Sequence, residues 1–339
     1  MCAAKRGESG LSFVVGVDKP EGVSSHDVVN AVRRIFGERR VGHTGTLDPL
    51  ATGALAVCVG PAARLDAYMV GDDKTYVVRV AFGVATDTDD ALGRPLRVAE
   101  VPDLVCDPDF ARSFVESLVG PRKQLPPAYS AIKKGGVKAY EVARKGSVIE
   151  LEPRDIVIHS AELLDLETDP ASPCLHWDLR VRVSKGTYIR SLARDIGSAL
   201  GTAAHVETLR RESSGRLHVE DCCSLQRLEQ LGMDAIVDPV YLLGFRMAFI
   251  DDAVRADVRN GKFIAADSLG LFEAPQRYDE SDCGPLRAAV ASHRTVMGGE
   301  RICLVYGNEL SAIYEYSAER GVLRPACVFS QGVARGKGV

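Results

Sequence analysis

Two hydrophobic periods alternate along the chain. Residues 13–17 form a short apolar run that ends in "DKPEG", a turn signal. Ser24 or Ser25 then predicts a helix cap, with apolar residues at 28, 29, 32, 35 and 36 on one helical face and Gly37 closing it. A loop leads into a strand-like run at 55–59, and a helix is expected near 62–70. "KTYVVRVAFG" alternates, placing Tyr76, Val78, Val80 and Phe82 on one face of a strand. "TDTDDALG" reads as a polar turn, and a helix near 109–119 puts Phe110, Phe114 and Leu118 in register. Alternation returns in "CLHWDLRVRVS", where Leu175, Trp177, Leu179, Val181 and Val183 share a face. "KGT" then turns the chain into a helix with the apolar stripe Ile189, Leu192, Ala193, Ile196, Ala199 and Leu200. No repeat of 20–50 residues interrupts this series.

Interleaved helices and alternating strands with glycine turns predict an α+β fold. Its central sheet is expected to be mixed, largely antiparallel and flanked by helices, rather than doubly wound. After about Leu243 the helix signal fades. "RICLVYGNELSAIYEYSAERGVLRPACVFS" predicts three strands joined by short polar turns, and the acidic stretch 267–287 before it reads as a loop insertion. The expected organisation is a disordered lead-in (1–11), a main domain (12–245) with an irregular basic insertion at about 120–150, and a small mostly-β domain (246–335). At 339 residues, length alone favours two domains.

Composition is ordinary for a soluble globular protein, at 46% hydrophobic and 26% charged. No apolar run approaches the length of a membrane span, and "MCAAKRGESG" lacks the apolar core of a secretory signal, so a cytoplasmic location is expected. The nine cysteines are scattered without a C-x-x-C pair, which supports neither a disulfide framework nor a zinc site. Net charge is -4, yet two basic clusters stand out. Between residues 120 and 145 there are seven Lys/Arg against one acid, and between 180 and 216 eight against three. With Tyr129, Tyr140 and Tyr188 among them, these clusters point to a polyanionic ligand.

The stretch "VGHTGTLDPLATGALAVCVG" (41–60) holds one acid, Asp48, between Gly45 and Gly53. It fits neither a dinucleotide fingerprint nor a phosphate loop with its lysine. Asp48-Pro49 could simply start a turn, but the flanking glycines also permit close approach of a ligand. Arg190 is out of place in the first turn of its helix, where acids are favoured, and this suggests a partner outside that helix.

Five strings decide between these readings. "GVDKPEGVSSHDVV", "RRVGHTGTLDPLATGALAVCVG", "KTYVVRVAFGVATDTDD", "QLPPAYSAIKKGGVKAYEVARKG" and "VSKGTYIRSLARDIG" resemble, in order and spacing, the bacterial TruB family of tRNA pseudouridine synthases. The resemblance is strong over about 13–216 and looser beyond, where the family carries a PUA-like domain. It implies the pseudouridine synthase fold and isomerisation of uridine 55 in the tRNA T-arm, with no metal or organic cofactor. It makes Asp48 the catalytic carboxylate, either a nucleophile toward the sugar or a base removing a sugar proton. Arg190 is its expected cation, and Tyr188 a pocket residue of the same motif. Tyr76, on the apolar face of its strand, is then more than a core tyrosine: it stacks on the target base and takes part in proton transfer at C5. His43 is expected to hold the T-loop while the nucleotide is flipped out. Leu209, in "ETLRRESSG", is either a wall of the uracil pocket or a helix core leucine. Lys19 and Pro20 fit a motif beside the site. The basic insertion matches the family's RNA-gripping thumb. The expected partner is the tRNA T-arm alone, bound by a monomer without an obligate protein partner. Two rivals are the catalytic subunit of guide-RNA pseudouridylation particles and a non-catalytic RNA-folding protein. With twelve acids against eleven Lys/Arg, residues 246–335 are expected to add only limited RNA contacts, so that a chain ending near Leu243 would still modify a T-arm stem-loop.

Overall fold

The computed structural model describes residues 9–130, 133–134, 137–138, 151–168, 175–277 and 286–336. Most of the expected thumb, Tyr140 included, and residues 1–8 of the expected lead-in lie outside them. In chain order the first strands are β1 (Phe13–Lys19), β2 (Val41–His43), β3 (Thr52–Val59), β4 (Lys74–Phe82), β5 (Val84–Thr86), β6 (Pro95–Val98) and β7 (Gly120–Gln124). Next come β8 (Lys133–Lys134), β9 (Val137–Lys138), β10 (Arg154–Thr168), β11 (Leu175–Val183), β12 (Ala204–Ser214), β13 (Leu217–His218) and β14 (Ile236–Val237). The last are β15 (Arg246–Phe249), β16 (Ile264–Ala265), β17 (Leu271–Phe272), β18 (Arg301–Tyr306), β19 (Glu309–Ser317) and β20 (Val322–Ala334). The helices used below are α1 (Ser25–Phe36), α2 (Asp66–Met69), α3 (Pro108–Glu116) and α4 (Ile189–Ala199).

The chain divides into two compact units. One comprises Met1–Asp48, Gly53–Gly71 and Ser213–Val339, the other Pro49–Thr52 and Asp72–Glu212. In the first, β14, β1 and β3 run antiparallel in that order, with β2 added to β3. Ser24 caps α1 in a reciprocal box with Asp27, and Gly37 ends the helix in the left-handed conformation. The C-terminal strands form a second sheet of this unit, in the order β16-β20-β19-β18-β15-β17. Its β15–β18 pair is parallel, and its other pairs are antiparallel. β17 comes from the stretch expected to be a mere loop insertion. Although two residues long, Leu271-Phe272 completes the ladder against Met247 and Ala248.

This second sheet shares its core with the first. Val14, Ala54, Ala56, Cys58 and Leu65 are buried in one cluster with Val305, Leu310, Ile313, Cys327, Phe329 and Val333. Asp238 and Arg335, both nearly fully buried, form a two-point ion pair at 2.7 and 3.1 Å. The Ala334 amide donates to the Ser12 carbonyl at 2.8 Å. Residues 9–11, expected to be disordered, are tied down: the Ser9 hydroxyl donates to Glu38 and the Gln331 amide to the Gly10 carbonyl. A chain ending near Leu243 would lose these partners.

The second unit is built on a sheet ordered β12-β4-β11-β10-β7, whose β4–β11, β11–β10 and β10–β7 pairs are antiparallel. β11 alternates buried and less buried positions as its sequence predicts, with the Trp177 indole donating to the Val105 carbonyl. α3 keeps the predicted face in part, with Leu118 just past its end buried as expected. It buries Ala111 and Val115, while Phe110 is exposed and Phe114 leans its ring 6.0 Å from that of Trp177. α4 buries Ile189, Leu192, Ala193 and Ile196, with Leu200 just past it, as predicted, and departs only at the edge, where Gly197 is buried and Ala199 exposed. A Cβ on Gly197 would meet the Ala204 backbone nitrogen at 2.7 Å, so glycine lets the helix approach β12 closely.

Candidate active site

Asp48 is half-buried in a loop that the first unit pins on its N-terminal side. The Ser25 hydroxyl, in the first turn of α1, accepts from the Leu47 amide at 2.8 Å and is 3.0 Å from the Leu47 carbonyl. The Thr44 amide donates to the Ala56 carbonyl on β3, and the His43 Nδ1 accepts from the Gly45 amide at 3.3 Å. Gly45 and Gly53 both have positive φ, 150° and 105°, where a side chain would be strained. His43 therefore stiffens the loop that carries Asp48. Burial raises the pKa of the Asp66 carboxyl, against the smaller opposing pull of His43. Lys19 is fully buried at the end of β1 and donates to the carbonyls of Pro20 and Val23 at 2.9 and 2.6 Å, which closes the turn leading to the Ser24 cap.

The chain continues from Asp48 into Pro49–Thr52 of the second unit. There the Thr52 hydroxyl lies 3.5 Å from the Leu209 carbonyl and accepts from Arg210 at 3.3 Å. Leu209 is buried on a strand, β12, rather than in a helix. Tyr76, also buried, stands on β4 opposite Val181 of β11. Two residues before it, Lys74 has a lowered pKa because it is desolvated and lies close to the buried Arg211, against the opposing pull of Asp72 and Asp73. Neither cation drew notice as an individual residue in the sequence.

Arg190 lies in the first turn of α4, 5% exposed, and is no solvated surface arginine. Its guanidinium donates to the Thr88 carbonyl and to the Tyr129 carbonyl, both at 2.9 Å, and lies 3.8 Å from the Asp90 carboxylate. The supposed polar turn is thus a constructed loop. Asp90, buried, accepts from the Thr88 hydroxyl at 2.6 Å and the Leu92 amide at 3.1 Å. Asp89, held at φ 59°, pairs with Arg194 at 3.0 Å. Its pKa is raised by burial, against the pull of Arg194 and Arg190. The dense acids of "TDTDD" beside Gly93 were the available signal. Tyr188 is the residue before α4, half-buried, with the Arg154 guanidinium 6.0 Å from its ring centre. Among the described residues, no group of His, Cys, Asp and Glu could hold a metal ion.

The sequence profile described as TruB family pseudouridylate synthase, N-terminal domain, matches residues 33–189, and that of the tRNA pseudouridylate synthase B C-terminal domain matches 190–242. A tRNA pseudouridine synthase B of Deinococcus radiodurans is 40% identical over 283 residues, 76% of this chain and 90% of the relative. The chain belongs to the TruB family. A TruB relative from Geobacillus thermodenitrificans is 36% identical over 326 residues, 94% of this chain and the whole of that protein. Among solved structures, an H/ACA ribonucleoprotein bound to a substrate RNA containing 2′-deoxyuridine contains a chain that superposes with a TM-score of 0.62. It covers 94% of this chain and 85% of that one at 22% identity, a likeness of fold. This TruB-family chain is therefore an α+β pseudouridine synthase with a mostly-β C-terminal sheet. Among its described residues no helix is long and apolar enough to cross a membrane.

Proposed function

We propose that this enzyme converts uridine 55 of the tRNA T-arm to pseudouridine, with Asp48 as the catalytic carboxylate. The observation that carries this is the fixing of a half-buried carboxylate in a loop bonded before it to Ser25 and after it to β12. In the reaction the N1–C1′ bond breaks, the uracil turns while bound, and C5 bonds to C1′. The C5 proton leaves and N1 gains one, so the change is an isomerisation with no net transfer of electrons, and it requires no redox cofactor. Asp48 either attacks the sugar or removes a sugar proton, and both routes need it ionised beside a cation. Arg190, shared between two carbonyls and Asp90, is the cation assigned to it. Tyr76 stacks on the base and takes part in proton transfer at C5, Leu209 walls the pocket, and His43 holds the T-loop around the flipped nucleotide.

The proposed enzyme works in the cytoplasm on tRNA without a guide RNA. Relatives bearing the tRNA synthase name cover most of the chain at 36–42% identity, whereas the ribonucleoprotein subunit shares 22%. The test is tritium release from tRNA labelled at uridine C5, with the modified position then mapped. Stoichiometric release from position 55 by the protein alone is expected. Absence of release, or dependence on an added guide RNA, would overturn the reading.

A further inference from the structure

We infer that Gln124 is a positioning residue for this reaction, its side-chain amide setting the place of Tyr188 and of the helical turn that carries Arg190. The inference rests on the roles assigned above to those two residues. β7 is an edge strand whose Pro121, Arg122 and Lys123 are exposed, yet Gln124 at its end is 1% exposed. Glutamine is seldom buried so fully unless both halves of its amide are bonded. Here both halves go to one residue. Nε2 donates to the Tyr188 carbonyl at 3.0 Å, and Oε1 accepts from the Tyr188 amide at 2.8 Å. The glutamine thus mimics a neighbouring strand.

Tyr188 is the residue at which such a brace matters. It occupies the cap position of α4 and makes no side-chain cap bond, where serine, threonine, aspartate or asparagine is favoured. A capping residue at 188 would remove the tyrosine ring, so the restraint comes from another strand instead. The same short segment takes further bonds from α4. The Ser191 hydroxyl and the Arg194 guanidinium both donate to the Leu125 carbonyl, at 2.9 and 2.7 Å. Arg190 itself donates to the Tyr129 carbonyl. Residues 124–129 therefore set where the first turns of α4 stand, and Gln124 is the side chain in that set with two-point geometry. Loss of it would let Tyr188 and Arg190 drift by a fraction of an ångström without removing any group that touches RNA.

The variants Gln124→Met, which keeps length but no polar atom, and Gln124→Asn, which keeps the amide on a shorter stem, test this. For each, the melting temperature, the RNA dissociation constant and the single-turnover rate at saturating tRNA are measured well below the melting point. A fall of about tenfold or more in the saturating rate is expected for Gln124→Met, since small misplacements of reacting groups cost one to two orders of magnitude. A smaller fall is expected for Gln124→Asn, and the dissociation constant should move by less than about threefold, because phosphate contacts dominate affinity. If Gln124→Met does not fold, Gln124→Asn alone carries the test. A folded variant that melts earlier but keeps the wild-type saturating rate, or one whose loss lies wholly in RNA affinity, overturns the inference. Failure of the wild-type protein to release tritium would instead overturn the functional reading on which it rests.

Discussion

The loop that carries Asp48 is tied before it by the Leu47 amide to the Ser25 hydroxyl and after it by the Thr52 hydroxyl to the Leu209 carbonyl. The Arg190 guanidinium donates to the carbonyls of Thr88 and Tyr129. Asparagine has the shape of aspartate, so replacing Asp48 by Asn leaves those ties in place and removes the reacting charge. Turnover of Asp48→Asn is expected to vanish while tRNA affinity stays close to wild type, checked by tritium release alongside filter binding. Substantial residual turnover would show that another group does the chemistry. Arg190→Lys keeps the charge but cannot reach Thr88, Tyr129 and Asp90 together from one ammonium. Its rate is expected to fall by about a hundredfold or more, in line with loss of transition-state electrostatics. A lysine variant within a few fold of wild type would reduce Arg190 to a structural cation.

At the level of elements, α4 converts packing into placement. Gly197 allows its C-terminal half to lie against residues 203–204, while its first turns are bonded to residues 88–89 and 124–129. Gly197→Ala gains helix propensity, but the new methyl meets backbone that cannot yield cheaply. The clash is expected to win and to destabilise the protein by about 1–3 kcal/mol, as overpacking does. The saturating rate is expected to fall as well, because the pushed helix carries Arg190. Thermal melting and single-turnover kinetics on the same preparation check both, and unchanged values would mean that the helix moves freely at that point. The departures of α3 and α4 from their predicted stripes share one cause. Periodicity finds a face but not its edges, and Trp177 and β12 determine which residues at those edges are covered.

For the whole molecule, the C-terminal sheet stabilises as well as extends the protein. Its residues complete a core with β1 and β3, and Arg335 neutralises the buried Asp238. Arg335→Met leaves that carboxylate buried without its two-point partner and is expected to cost about 3–5 kcal/mol. Adding Asp238→Asn is expected to restore a good part of the loss, which a double-mutant cycle in denaturant would measure. If the two effects simply add, the pair is not coupled. Truncation near Leu243 is expected to yield an unfolded or aggregating chain, seen by circular dichroism and size-exclusion chromatography. A monomeric, folded truncate with stem-loop activity would show that the shared core is dispensable.

Sequence alone determined what local periodicity and short-range spacing carry. The helix cap at Ser24 or Ser25, the alternation of β11, the three C-terminal strands and the isolation of Asp48 in a glycine-bounded loop all depend on residues within a few positions of one another. Order and spacing of the motif strings were enough to point to the family. Tertiary structure decided which polar residues would be buried, and against what. Asp90 and Gln124 look like surface residues in their own segments, and only the arrival of α4, some 60 to 100 residues later, turns them into a guanidinium clamp and a backbone brace. The same holds for Asp238 and Arg335, separated by 97 positions. Burial of a charge is tolerable only beside its partner, and which residue becomes that partner is a property of the folded chain.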